Sequence, residues 1–186
     1  MTTPHTNITN GASVHAAAMA LCETPCTTKC NCRSHPECAG EIKRLMNDHH
    51  QRQLSLCSEL ESIADGLPDH ADTQHMLVVS RSLYSTVKAA HDFEEKRVFP
   101  FLQAMGLEDE AMAQSLERLR FEHWEDESFA EELSDGLRRQ VMQGDEHSSE
   151  TLSYMLRGFF EGIRRHIAFE VEHVLPIMMN SQKASQ

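Results

Sequence analysis

The sequence predicts an all-α protein: an antiparallel up-down four-helix bundle preceded by a disordered, cysteine-rich extension. Three observations carry that expectation. Apolar residues recur with helical period over four long stretches, and no stretch shows the period-two alternation of a strand. Aromatics make up only 6% of the 186 residues, while Leu, Met, Ala, Glu and Arg abound, a composition suited to helices. Glycine and proline fall where short connections would join the four stretches.

Residues 1–38 stand apart. They are rich in Thr, Ala, Asn and Cys, contain Pro4, Pro25 and Pro36, and show no sustained apolar period, so they are expected to be disordered. From about Glu41 the first helix carries Ile42, Leu45, Met46, His49, Leu56, Cys57, Leu60 and Ile63 on one face, and Gly66-Leu67-Pro68-Asp69 ends it. The second is expected from about Asp72 to Met105, with Leu77, Tyr84, Val87, His91, Glu95, Val98 and Leu102 on a stripe. Pro100 should kink or shorten its last turn, because proline removes one ladder donor. The third begins near Glu108, whose acidic first turn complements the helix dipole. It carries Met112, Leu116, Leu119, His123, Glu127, Ala130, Leu133 and Leu137, with Gly136 as a weak point and Gly144 as its end. The fourth starts near Asp145 and carries Leu152, Leu156, Phe159, Ile163, His166, Glu170, Val174 and Ile177. The bundle is thus expected over 39–180, with 181–186 a disordered tail.

The formal net charge of −12 argues against a nucleic-acid partner or an anionic membrane surface. No apolar run approaches the roughly 20 residues of a membrane-spanning helix. The N-terminal apolar patch, Ala16 to Leu21, is short and lacks a basic flank, so a cytoplasmic location is expected.

The chemistry lies in polar residues on the apolar stripes. His91/Glu95, His123/Glu127 and His166/Glu170 are each four apart, and His49 is a fourth histidine on a fourth helix. Residues i and i+4 share a helix face, so each pair can aim a nitrogen and an oxygen at one point. Burying three carboxylates together is costly without a cation. These seven residues therefore point to a pair of metal ions, His and carboxylate suiting iron, Fe/Fe or Fe/Mn. The blander reading takes each His as an ordinary partnered residue and each Glu as its solvated neighbour; it suits any one pair but strains as an account of the set. Three alternatives stay open: His50 for His49, Glu94 for Glu95, and Asp126 for Glu127. Pro100 lies nine residues after His91 but Pro176 ten after His166, which is where the Glu94 alternative arises. His173 reads as a surface residue, His75 lies too far along its helix, and Tyr84 reads as packed.

In Asp48-His49-His50, HDFEEKRVFP (91–100), EHWEDE (122–127) and HIAFEVEHVLP (166–176), the chain resembles the hemerythrin-like, HHE cation-binding domains. The resemblance covers about residues 40–178. It implies a four-helix bundle with two non-haem irons per chain and bridging carboxylates from the second and fourth helices, which fall on Glu95 and Glu170. The oxygen carriers of that family offer two histidines from the third helix, whereas here Glu127 follows His123. A third carboxylate stabilises ferric iron and shifts the expectation away from reversible O₂ carriage.

Cys22, Cys26, Cys30, Cys32 and Cys38 crowd the extension without the common C-x₂-C zinc spacing. They read as free thiols or, alternatively, as a second metal or redox-responsive cluster; Cys57 reads as core. Two functions are compatible with the whole. One is a di-iron protein that binds or senses O₂, nitric oxide or iron. The other is a di-iron oxidoreductase acting on peroxide, iron or nitric oxide. A metal-free interaction bundle fits the inward polar residues poorly.

Overall fold

The computed structural model describes residues 36–67, 69, 72–104, 110–144 and 146–178. The expected extension up to residue 35, with four of its cysteines, and the expected tail lie outside them, as do residues 105–109 where the third helix was expected to begin. Among the described residues there is no strand. Four long helices account for almost all of them: α1 (Pro36–Gly66), α2 (Thr73–Phe93), α3 (Glu110–Gln143) and α4 (Glu146–Phe169). Among the described residues no helix is long and apolar enough to cross a membrane. Helix α1 takes in Pro36, inside the segment expected to be disordered; proline is well tolerated in a helix's first turn.

Local chemistry sets the boundaries. Helix α1 stops at Gly66, and α2 opens on Asp72, whose side chain accepts from the His75 amide at 3.1 Å and satisfies one of the first-turn donors. Helix α3 runs unbroken through Gly136, where a Cβ would meet Leu152 Cδ1 at 3.2 Å. The glycine lets α4 lie close instead of weakening α3.

Helices α2 and α4 share a departure from α geometry. After α2 comes a five-residue π turn, Glu94–Val98, and then an α-helical stub, Phe99–Ala104; after α4 comes a second π turn, Glu170–Val174, and residues 175–178 in α form. In both, the amide after the turn reaches back five residues, Phe99 to Glu94 and Leu175 to Glu170. The cause is the following proline. Pro100 and Pro176 have no N–H to give to the residue four back, and their rings crowd that carbonyl. Widening the preceding turn relieves the clash without ending the helix.

Helix α1 packs against α2 and α4, and α3 packs against the same two. The apolar interior falls into two clusters. One gathers Leu60, Leu83, Val87, Leu133, Leu137, Leu156, Phe159 and Ile163; the other gathers Ile42, Met46, Phe99, Leu102, Leu116, Leu119, Val174 and Met178. On every helix the residues of one cluster give way to those of the other at buried polar residues: His50, His91 and Glu94, His123, and His166 and Glu170. Cys57 lies in the first cluster, 1% exposed, and burial pushes its thiol up to about 11, so it is an inert packing residue.

Candidate metal centre

That polar layer is made of His50 from α1, His91 from α2, Glu94 at the head of the first π turn, His123 from α3, His166 from α4, and Glu170 at the head of the second π turn. All six are buried, none more than 7% exposed. The imidazoles are packed together: His91 and His123 stack with centroids 4.1 Å apart, His123 and His166 at 5.2 Å, and Phe99 covers the His123 ring at 5.7 Å. His50 Nε2 meets Glu170 Oε2 at 2.8 Å.

The inner atoms of this layer lack hydrogen-bond partners. His91 Nε2, His123 Nε2, His166 Nε2, Glu94 Oε2 and Glu170 Oε1 are all buried and unsatisfied. His123 Nε2 and Glu94 Oε2 approach to 3.0 Å, but out of hydrogen-bonding alignment. Native interiors satisfy nearly all such groups, and five in one place make a candidate coordination site. Among the described residues, two overlapping sets bring one donor atom each within 4.8 Å of the others: His91, His123 and His166; and Glu94, His123, His166 and Glu170.

Electrostatics agree. Burial and the neighbouring imidazoles His123 and His166 drive His91 down to about 2, so its ring is neutral, the form that ligates. Burial and then the repulsion of Glu170 push Glu94 well above the usual carboxylate range. Burial would raise Glu170 too, but His166 and His50 outweigh it and hold the carboxyl at about 2. Two carboxylates sharing one dry site without a cation cannot both ionise comfortably.

Of the seven residues expected here, His91, His123, His166 and Glu170 meet in this layer. His49 does not; His50 stands in its place. The two flank the centre line of the buried face of α1. His50 leans toward Glu170, while His49 is half-buried and stacks on Phe93 with centroids 5.0 Å apart. Glu95 and Glu127 also lie outside the layer, behind the histidines. Glu95 Oε1 sits 2.8 Å from His123 Nδ1, and Glu127 Oε1 sits 3.3 Å from His91 Nδ1. A carboxylate on the outer nitrogen fixes the tautomer, leaving the lone pair of Nε2 inward, and raises ligand basicity. Glu94 displaces Glu95 because the π turn begins at residue 94, so the inward carboxylate follows His91 by three residues instead of four. The signal was present in the sequence: Glu94 to Pro100 and Glu170 to Pro176 are both six residues, and EKRVFP beside VEHVLP shares the Val-x-Pro ending. Asp126 lies at the margin, its Oδ2 3.7 Å from His166 Nδ1, with burial raising its carboxyl to about 6. His75 pairs with Glu59, and Tyr84 packs on the first apolar cluster.

A helical bundle in which three inward histidines and two inward carboxylates hold unsatisfied donor atoms, with His50 tied to one of those carboxylates, is suited to binding a cation. The family model for the hemerythrin HHE cation binding domain matches residues 41–178, most of the chain, and the protein belongs to that family. No curated protein and no solved structure matches it.

Proposed function

We propose that this chain is a non-haem di-iron protein that binds or senses a small molecule such as O₂ or nitric oxide, or iron itself. The observation that carries this reading is the set of five unsatisfied donor atoms facing one another between the two apolar clusters. Two irons held there supply an open coordination position and electrons that a diatomic molecule or peroxide can accept. His50, His91, His123 and His166 are the nitrogen donors in this reading. Glu94 and Glu170, one from each π turn, would supply the carboxylate oxygens. Phe99 and the apolar clusters exclude bulk water. The helices are read as an antiparallel up-down bundle, because the order in which each meets the two clusters reverses from one helix to the next.

The alternative is an oxidoreductase, a peroxidase, ferroxidase or nitric-oxide-handling enzyme, using the same centre. It is favoured by Glu95 and Glu127, whose hydrogen bonds to His123 and His91 make the imidazoles stronger donors and so favour the oxidised metal. Metal analysis of protein purified without chelator tests the common ground, with about two irons per chain expected. The visible spectrum after Fe(II)-loaded protein meets O₂ separates the two readings. A lasting charge-transfer band marks a binding or sensing protein, and one that decays with turnover marks an oxidase. A chain that takes up no iron even under anaerobic loading refutes both.

A further inference from the structure

Both apolar clusters close off the metal layer along the bundle axis, so the metal must arrive from the side. Between α3 and α4 lies a cavity of about 430 Å³, lined by Ser115, Arg118, Leu119, Glu122, Glu125, Asp126, Gly162, Arg165, His166 and Phe169. Its inner wall is His166, 7% exposed, whose two ring nitrogens both lack hydrogen-bond partners. Nε2 faces the metal layer, 3.7 Å from Glu170 Oε1 and 4.0 Å from Glu94 Oε2. Nδ1 faces the other way, 3.7 Å from both Glu122 Oε2 and Asp126 Oδ2. The other two site histidines with assigned outer neighbours have Nδ1 anchored by a close carboxylate; that of His166 is buried and unpartnered, with the Glu122 and Asp126 carboxylates 3.7 Å away between it and the cavity.

We propose that this cavity is the loading port of the metal centre, in which Glu122 and Asp126 hold an incoming divalent cation and pass it across His166. The proposal rests on the metal-binding reading above. A hydrated divalent cation entering the cavity meets three carboxylates, those of Glu122, Glu125 and Asp126, against the guanidinium groups of Arg118 and Arg165. Arg118 is tied to Glu122 Oε1 at 2.7 Å on a largely exposed side chain, which leaves Glu122 Oε2 directed to His166. The cation exchanges waters for Glu122 and Asp126 oxygens, which lie only partly exposed on the inner side of the cavity. The ring of His166 then stands between these oxygens and those of Glu94 and Glu170. A neutral imidazole has one lone pair, so it takes the cation on one nitrogen at a time, its single N–H exchanging between Nδ1 and Nε2 by way of water or the neighbouring carboxylates. Apart from that proton shift, no bond other than coordination is made or broken.

The test is the rate at which metal-free protein takes up Co(II), followed by the visible absorption of the bound ion, with the final metal-to-chain ratio measured separately. Two variants are compared with the wild type. The double substitution Glu122→Gln with Asp126→Asn removes the relay charges. Gly162→Phe fills the cavity, since a Cβ at Gly162 meets nothing within 4 Å, and so keeps the test available should the double variant fold poorly. Both should slow uptake by about ten-fold or more, the scale on which a charged cleft accelerates ion capture, and reach the wild-type ratio. Wild-type rates in both would overturn the port while leaving the metal centre intact. A lowered final ratio at unchanged rate would make Glu122 or Asp126 a standing ligand and overturn the relay. If the wild-type chain itself takes up no Co(II) or Fe(II), the metal reading falls and the port with it.

Discussion

Helices α2 and α4 solve the same problem with different spacing. Each must aim one histidine and one carboxylate at the same interior point, yet α2 uses His91 and Glu94 where α4 uses His166 and Glu170. Counted from the histidine the two disagree by one residue; counted from the proline they agree. In each, the π turn starts at the carboxylate and ends two residues before the proline. The proline therefore sets which carboxylate faces inward, and the histidine takes whichever spacing remains. The electrostatic settings also differ. Glu170 is anchored by His50 at 2.8 Å and held down, whereas Glu94 has no such partner for its inner oxygen and is pushed up.

That contrast can be broken most forcefully at the carboxylates. Glu170→Ala should abolish binding of at least one metal ion, measured by elemental analysis. It should also destabilise the metal-free protein by about 1–3 kcal/mol, because buried His50 loses its partner. Glu94→Gln should impair metal binding as well but leave the metal-free protein as stable or more so, since it removes a repulsive buried carboxyl. Equal destabilisation of both metal-free variants in urea melts would contradict the assigned asymmetry.

The proline rule predicts the next largest effect. Pro100→Ala restores an amide donor and allows the turn to tighten to α form, which rotates the following residues by about 100° per position shifted and turns Glu94 out of the layer. Metal content should fall, and Pro176→Ala should do the same through Glu170. Full metal occupancy in both proline variants would separate the π turns from ligand register.

Smaller effects are expected behind the histidines. Glu95→Gln and Glu127→Gln should weaken metal affinity by about 10–100-fold at unchanged stoichiometry, read by competition with a coloured chelator. A loss of stoichiometry would instead make either residue a ligand. Smallest of all is His49→Ala. It should leave metal content alone and lower stability by no more than about 0.5–1.5 kcal/mol through the lost stacking on Phe93; in His50→Ala the metal content itself should drop.

The sequence made the helices legible because their apolar periods are long and because Gly66 and Asp72 mark the end of one and the start of the next. Three histidines and Glu170 were legible for a related reason: a polar residue on an apolar stripe has few innocent explanations. What was hidden was local geometry. A π turn alters the count by one residue, so the i+4 rule that finds Glu170 after His166 misplaces Glu95 after His91. His49 and His50 are neighbours about 100° apart on α1, and the apolar stripe alone does not tell which of them turns toward the polar layer; the packing turns His50 onto Glu170 and His49 onto Phe93. The distinction between a residue that faces the site and one that orients its neighbour, as Glu95 and Glu127 do, depends on which helix lies opposite. One sequence read helix by helix does not contain it.

The polar layer has a further consequence for how the molecule holds itself together. Because it divides the apolar interior into two patches, packing passes from one to the other through the stacked imidazoles and Phe99 and not through a continuous apolar core. Without cations, the middle of the bundle is a seam of mutually repelling or unsatisfied groups, and the two ends can open independently. Cations bound there would tie the helices together at that same seam. Amide hydrogen exchange would show the change as a merger: two blocks with separate opening energies becoming one that opens only as a whole.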